Sequence, residues 1–119
     1  MDVLDTARAY RRRADAREAD RVERLAALRQ RACQLAALLR EAFGPRVRIY
    51  LFGSAVDLDR FRPGSDLDLA VAGLEPAEYW EAWRIIEALE VGTRVDLVRF
   101  ESAAESLRET VRLEGEELV

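Results

Sequence analysis

From Asp2 to Phe43 the chain contains neither glycine nor proline, and Leu25, Leu28, Ala32, Leu35, Leu39 and Ala42 recur at spacings of three and four. That period describes one apolar face of an α-helix. The helix is expected to end at Gly44-Pro45, with glycine at the C-cap and proline just beyond. Before Val22 the seam gives way to Arg11, Arg12, Arg13, Asp15, Arg17 and Glu18. One unbroken helix over the whole stretch would be roughly 60 Å long, about twice the width of a small domain. Its first twenty or so residues are therefore expected to bend back, fray or project toward a partner.

The rest of the chain alternates in short units. VRIYLF at 47–52 and LDLAVA at 67–72 read as strands, and RVDLVRF at 94–100 as a third. Between the first two lies a loop, 53–65, with room for one short helical turn. Residues 76–90 form an amphipathic pattern in which Tyr79, Trp83, Ile86 and also Trp80 are placed on the apolar face, and Ser102 is placed as the cap of a last helix running to Gly115. Helix, strand, strand, helix, strand, helix indicates an α+β (mixed α/β) fold, a mixed central sheet flanked by helices with a long N-terminal helix. At 119 residues the chain has room for one core, so 1–119 is read as a single domain, with 1–43 as a helical extension and 44–119 as the core.

Composition narrows the chemistry. All 19 basic residues are arginine, and there is no histidine and no lysine. Catalysis must then use carboxylates, hydroxyls, arginines or a bound metal. A net charge of −4 counts against nucleic acid as the main partner. The charge is uneven, with nine arginines against six acids in residues 1–31 and two against six in residues 101–119. One cysteine, Cys33, excludes an internal disulfide; with no membrane-length apolar run and no signal-peptide core, a cytoplasmic protein is expected. Cys33 lies near the apolar seam and is read as a packed or inert thiol.

Asp66 and Asp68 are read as lying two apart in a strand, so both carboxylates point away from the core side taken by Leu67, Leu69 and Val71. On an open sheet face two such carboxylates repel, and a cation taking oxygen ligands relieves the conflict. Asp96, between Val95 and Leu97, repeats the arrangement. If its strand joins the same sheet, three carboxylates converge. A bare DLDL is more often a solvated strand face. The balance moves because Gly53-Ser54 directly follows a buried strand, where backbone N–H groups and a hydroxyl can cradle phosphate.

Together these residues, LFGSAVDLDRFRPGSDLDLAV, resemble the signature of the polymerase-β-like nucleotidyltransferases, and the short chain with its VRLEGEELV ending is similar to the minimal branch. The likeness covers about residues 35–119. It implies that Gly53 and Ser54 bind the triphosphate, that Asp66, Asp68 and Asp96 bind one or two Mg²⁺ ions and serve catalysis, and that AMP passes from ATP to a hydroxyl. It further implies an antitoxin acting on a tyrosine of a HEPN-type helical toxin. A homodimer or hetero-oligomer through the N-terminal helix is expected as well. Two departures stand out: 11 residues separate Ser54 from Asp66, one more than usual, and Arg60 and Arg62 come late in that loop, so neither is assigned a phosphate contact. Asp57 and Asp59 are read as loop or cap residues. The competing functions are a non-catalytic module that neutralises a partner by contact and a small-molecule nucleotidyltransferase, which normally carries a further helical domain.

Overall fold

A computed structural model describes residues 2–119, and in it the long helix neither bends nor frays. Helix α1 runs unbroken from Val3–Phe43. Asp2 caps its start by accepting from the Asp5 N–H at 2.8 Å. Gly44, at φ +92, ends it, donating its N–H to the Arg40 carbonyl at 2.8 Å. The helix sets the long dimension of a molecule measuring 64 × 30 × 20 Å. Only its second half is buried: Leu25, Ala32, Leu35, Ala36 and Leu39 enter the core, while Val3, Leu4 and Tyr10 stand in solvent. Each of the fully buried leucines contributes about 1.5–3 kcal/mol relative to leaving it exposed, which fixes this half of the helix to the sheet. Cys33 faces away from the seam and is exposed, contrary to the packed position expected for it.

Four strands form one mixed sheet in the order β3-β2-β1-β4: β1 Arg48–Phe52, β2 Leu67–Ala72, β3 Val95–Arg99 and β4 Glu116–Leu118. β1 lies antiparallel to both β2 and β4, whereas β2 and β3 are parallel. The parallel pair needs a crossover, and helix α2, Glu78–Leu89, supplies it. Ala82 and Ile86 of α2 are buried, with Tyr79 and Trp83 packed beside them. Trp80 falls off that stripe and is 68% exposed, so it does not belong to the apolar face. β4 was not expected. Of its three residues only Leu118 is buried, too little pattern to mark a strand.

Helices α1 and α2 cover one face of the sheet, meeting Ile49, Leu51, Leu67, Leu69, Val71 and Leu97. The other face is not open, as the sequence suggested. Helix α3, Glu105–Glu114, lies across it and forms a second small core of Phe52, Ala70 and Val111, flanked by Tyr50, Val98, Phe100 and Leu107. Ser102 does not cap α3: it ends a 3-10 turn at Phe100–Ser102, its hydroxyl lies 2.6 Å from an Arg99 guanidinium nitrogen, and the residue before α3 is Ala104.

Candidate active site

Three adjacent strands bring the marked residues to one end of the sheet. Phe52, the last residue of β1, pairs with Asp68 of β2, and Asp68 is in register with Asp96 of β3. Gly53 and Ser54 follow Phe52 directly and begin a 3-10 turn, Gly53–Val56. Asp66 immediately precedes β2, where the next residue, Leu67, donates its N–H to the Arg94 carbonyl at 2.9 Å and so begins the pairing with β3. Alternation along the strands places Asp68 and Asp96 on the α3 face, at the edge of the Phe52–Ala70–Val111 cluster.

Gly53 couples the turn to the carboxylates. Its φ is +77, and a Cβ built on it would fall 2.2 Å from Oδ2 of Asp68. No other residue fits, because a side chain meets both a left-handed backbone and an occupied position. The close approach sets the peptide groups of the Gly-Ser turn directly against the carboxylate, an arrangement that would suit an anionic ligand only with a cation present.

Charge within the cluster is visible on Asp68. Its carboxyl is held above the ordinary aspartate range, first by burial, then by the charge of Asp96 and then by that of Asp66, with Arg94 pulling in the opposite direction. Arg94, two residues from Asp96 on the same strand, lies 3.3 Å from one Asp96 oxygen. The sequence reading passed over this arginine, although its i, i+2 spacing in RVD was a sufficient signal. Among the described residues, no three acidic or cysteine side chains form a closed metal cage as they are turned. The donor set nevertheless fits Mg²⁺: hard carboxylate oxygens, with Asp66 and Asp96 close enough for their charges to raise the proton affinity of Asp68.

The loop between Ser54 and Asp66 is tied to the protein rather than to a ligand. Asp57 accepts from the Asp59 N–H at 2.8 Å, closing a local turn. Arg60 pairs with Glu114 at 3.3 Å, and Arg62 donates to the carbonyls of Asp59 and Phe61. Phe61, between the two arginines in the chain, is buried.

Substituting Asp68 tests whether this strain belongs to a ligand site. An acid whose folded-state proton affinity is raised destabilises the fold when ionised, and the penalty disappears as pH falls through its folded-state titration. In EDTA at neutral pH, Asp68→Asn is expected to match or slightly exceed wild-type stability, and the advantage should shrink on acidification. Wild type should gain about 1–3 kcal/mol with Mg²⁺ and excess ATP, by binding linkage, and Asp68→Asn should lose that gain. Thermal melts read both effects. A variant badly destabilised in EDTA would instead assign Asp68 a structural role.

Comparison with known proteins then fixes the family. Residues 34–119 match the family described as Polymerase beta, Nucleotidyltransferase. The chain belongs to the polymerase-β nucleotidyltransferases. Within this family, it is similar to a toxin–antitoxin crystal structure with AMP-PNP, at 32% identity over 73% of this chain and 72% of that one, TM-score 0.56. A structure assigned as a minimal nucleotidyltransferase is 38% identical over 77% of this chain and 93% of that one, TM-score 0.58. A MntA-HepT toxin–antitoxin structure gives 29% identity over 76% and 71%, TM-score 0.53. No curated protein matches the sequence. The family match begins inside α1, so the projecting half of the helix lies outside it.

Proposed function

We propose that this nucleotidyltransferase transfers AMP from ATP to a hydroxyl, a tyrosine hydroxyl, of a helical HEPN-type toxin, and acts as its antitoxin. The observation that carries the reading is the stacking of Gly53 on Asp68 with Asp96 in register beside it. Support for the substrate and partner comes from the similar toxin–antitoxin structure with AMP-PNP. Gly53 and Ser54 hold the triphosphate. Asp66, Asp68 and Asp96 hold one or two Mg²⁺ ions, which supply charge neutralisation at the phosphates. The acceptor oxygen bonds to the α-phosphorus, the bond to pyrophosphate breaks, and the hydroxyl proton passes to Asp96. With neither histidine nor lysine in the chain, positioning and charge carry the rate. Residues 1–119 act as one catalytic unit, and the acceptor's own surface completes the site. Incubating the protein with its helical partner, ATP and Mg²⁺ should add AMP to that partner by intact mass. Neutralisation without a mass change would identify a contact-only module instead.

The projecting half of α1 is assigned to a second copy of this chain. Val3, Ala7, Tyr10 and Ala14 share one face, with Tyr10 63% exposed. Antiparallel pairing sets Tyr10 against Ala7 and Val3 against Ala14, large against small, and places Asp5 opposite Arg12, while Asp2 meets Asp15. Among the described residues no helix is long and apolar enough to cross a membrane. Deleting residues 2–20 should leave the circular dichroism of the sheet and ATP binding intact while abolishing self-association in light scattering. A wild type that is monomeric at high concentration would overturn the assignment, and a truncated chain that unfolds would place the segment in the core.

A further inference from the structure

Helix α1 reaches the candidate site through two arginines that precede the family match. One guanidinium nitrogen of Arg29 donates to the Ala55 carbonyl at 3.2 Å, and the other meets both Glu116 oxygens, at 2.7 and 2.6 Å. Arg21 donates to the carbonyls of Leu58 and Phe61, while Glu18 holds its guanidinium at 2.9 Å. Ala55 is fully buried within the Gly53–Val56 turn, and Leu58 and Phe61 lie in the loop that leads on to Asp66. A four-residue 3-10 turn makes few hydrogen bonds of its own, so external donors decide where its peptide groups point. Glu116 holds one guanidinium nitrogen while the other reaches the turn, and the charged donor gives the Ala55 bond about twice the strength of a neutral one.

We infer that Arg29 is a positioning residue for the triphosphate: it holds the Gly53-Ser54 turn at the angle and distance from Asp68 that binding requires. This rests on the reading of that turn as the phosphate site. Losing the strut frees the Ala55 peptide to rotate, and the N–H groups beside it lose their fixed relation to the carboxylates. Small displacements of this kind are felt strongly in phosphoryl chemistry. Arg40 supplies the internal comparison. It donates to the Leu118 carbonyl at 2.6 Å and joins α1 to the same strand, β4, but its partner lies outside the turn. A role confined to fastening the helix would be common to both arginines; positioning of the turn belongs to Arg29.

Titrating AMP-PNP with Mg²⁺ calorimetrically into wild type, Arg29→Met, Arg29→Lys and Arg40→Met separates the two roles. Arg29→Met should bind about tenfold more weakly, the loss of one charged hydrogen bond's worth of order. Arg29→Lys should recover part of the affinity, and Arg40→Met should bind as wild type even where its melting temperature falls equally. In turnover assays Arg29→Met should raise the KM for ATP more than it lowers kcat. If Arg29→Met does not fold, Glu116→Gln, which removes the charge holding the second guanidinium nitrogen and keeps the donor to Ala55, should weaken binding in the same direction but less. Arg29→Met or Glu116→Gln binding like Arg40→Met overturns the inference. Wild-type protein that binds no AMP-PNP overturns the phosphate-site reading itself, a distinguishable failure.

Discussion

With Asp66 replaced by alanine, the helical partner should gain no AMP at all, against complete modification by wild type over the same period. Asp66 stands immediately before β2, and its charge is one of the two that raise the proton affinity of Asp68. On the proposed reading, removing it takes away a cation ligand and leaves the triphosphate's charge to be met by a smaller set of groups. A transition state stabilised almost wholly by charge and position has no covalent alternative to fall back on, so a loss of at least about a thousandfold is expected. Intact-mass spectrometry of the partner reads the adduct directly. Since Asp66 lies outside the apolar core, the variant should melt near the wild-type temperature, which separates loss of chemistry from loss of fold. Full modification by Asp66→Ala would remove this residue from the site. Equal neutralisation by both proteins with no change in mass would favour the contact-only module.

How much of this was legible in the sequence depends on the range of the interaction involved. The α1 seam and the strand cores Ile49–Leu51 and Leu67–Val71 are local patterns, and the structure has them at those positions; Asp68 lies in β2, while Asp66 falls just before it. The convergence of Asp96 on Asp68 depended on which strands pair, and periodicity does not state that; β2 and β3 meet in parallel register through the α2 crossover. β4 was hidden because Glu116 and Glu117 are exposed and only Leu118 carries an apolar signal. The same blindness made the carboxylate face look open, since α3 buries little of itself, with Val111 its one fully packed residue. Arg29 had no signal of any kind. Its partners are 26 and 87 residues away, and an arginine on the flank of a helix ordinarily faces solvent.

The distribution of roles along the chain also explains why the helix is so well fixed at one end and free at the other. From Leu25 onward it fills the α1/α2 face of the sheet, and from Arg21 to Arg40 its arginines reach the loop, the turn and β4. Before Glu18 its side chains find little beyond their own helix, as the exposure of Val3, Leu4 and Tyr10 shows. A surface of that kind is stable in water only because its arginines and aspartates outnumber the apolar side chains between them.

Asp96→Ala should divide binding from chemistry. Asp96 faces Asp68 across the parallel pair, yet one of its oxygens is turned toward Arg94 at 3.3 Å and its side chain is 39% exposed. Asp68 is closely approached by the Gly53 backbone, whereas Asp96 has no such neighbour in the turn, so we place the incoming hydroxyl at Asp96. If Asp96 mainly accepts the proton of the attacking hydroxyl, its loss removes an interaction made in the transition state and only weakened in the ground state. The expected result is transfer reduced by about two to four orders of magnitude, with ATP·Mg²⁺ bound only about tenfold more weakly. Removing Asp96 also relieves Asp68 of the larger of the two like charges acting on it and leaves Arg94 without its partner. The Asp68 carboxyl should then ionise at lower pH, and this partly compensates the lost ligand in the binding measurement. Calorimetric titration of ATP·Mg²⁺ paired with single-turnover mass spectrometry on the same preparation distinguishes the cases. Binding abolished together with transfer would make Asp96 a metal ligand above all, and wild-type values for both would exclude it from the site.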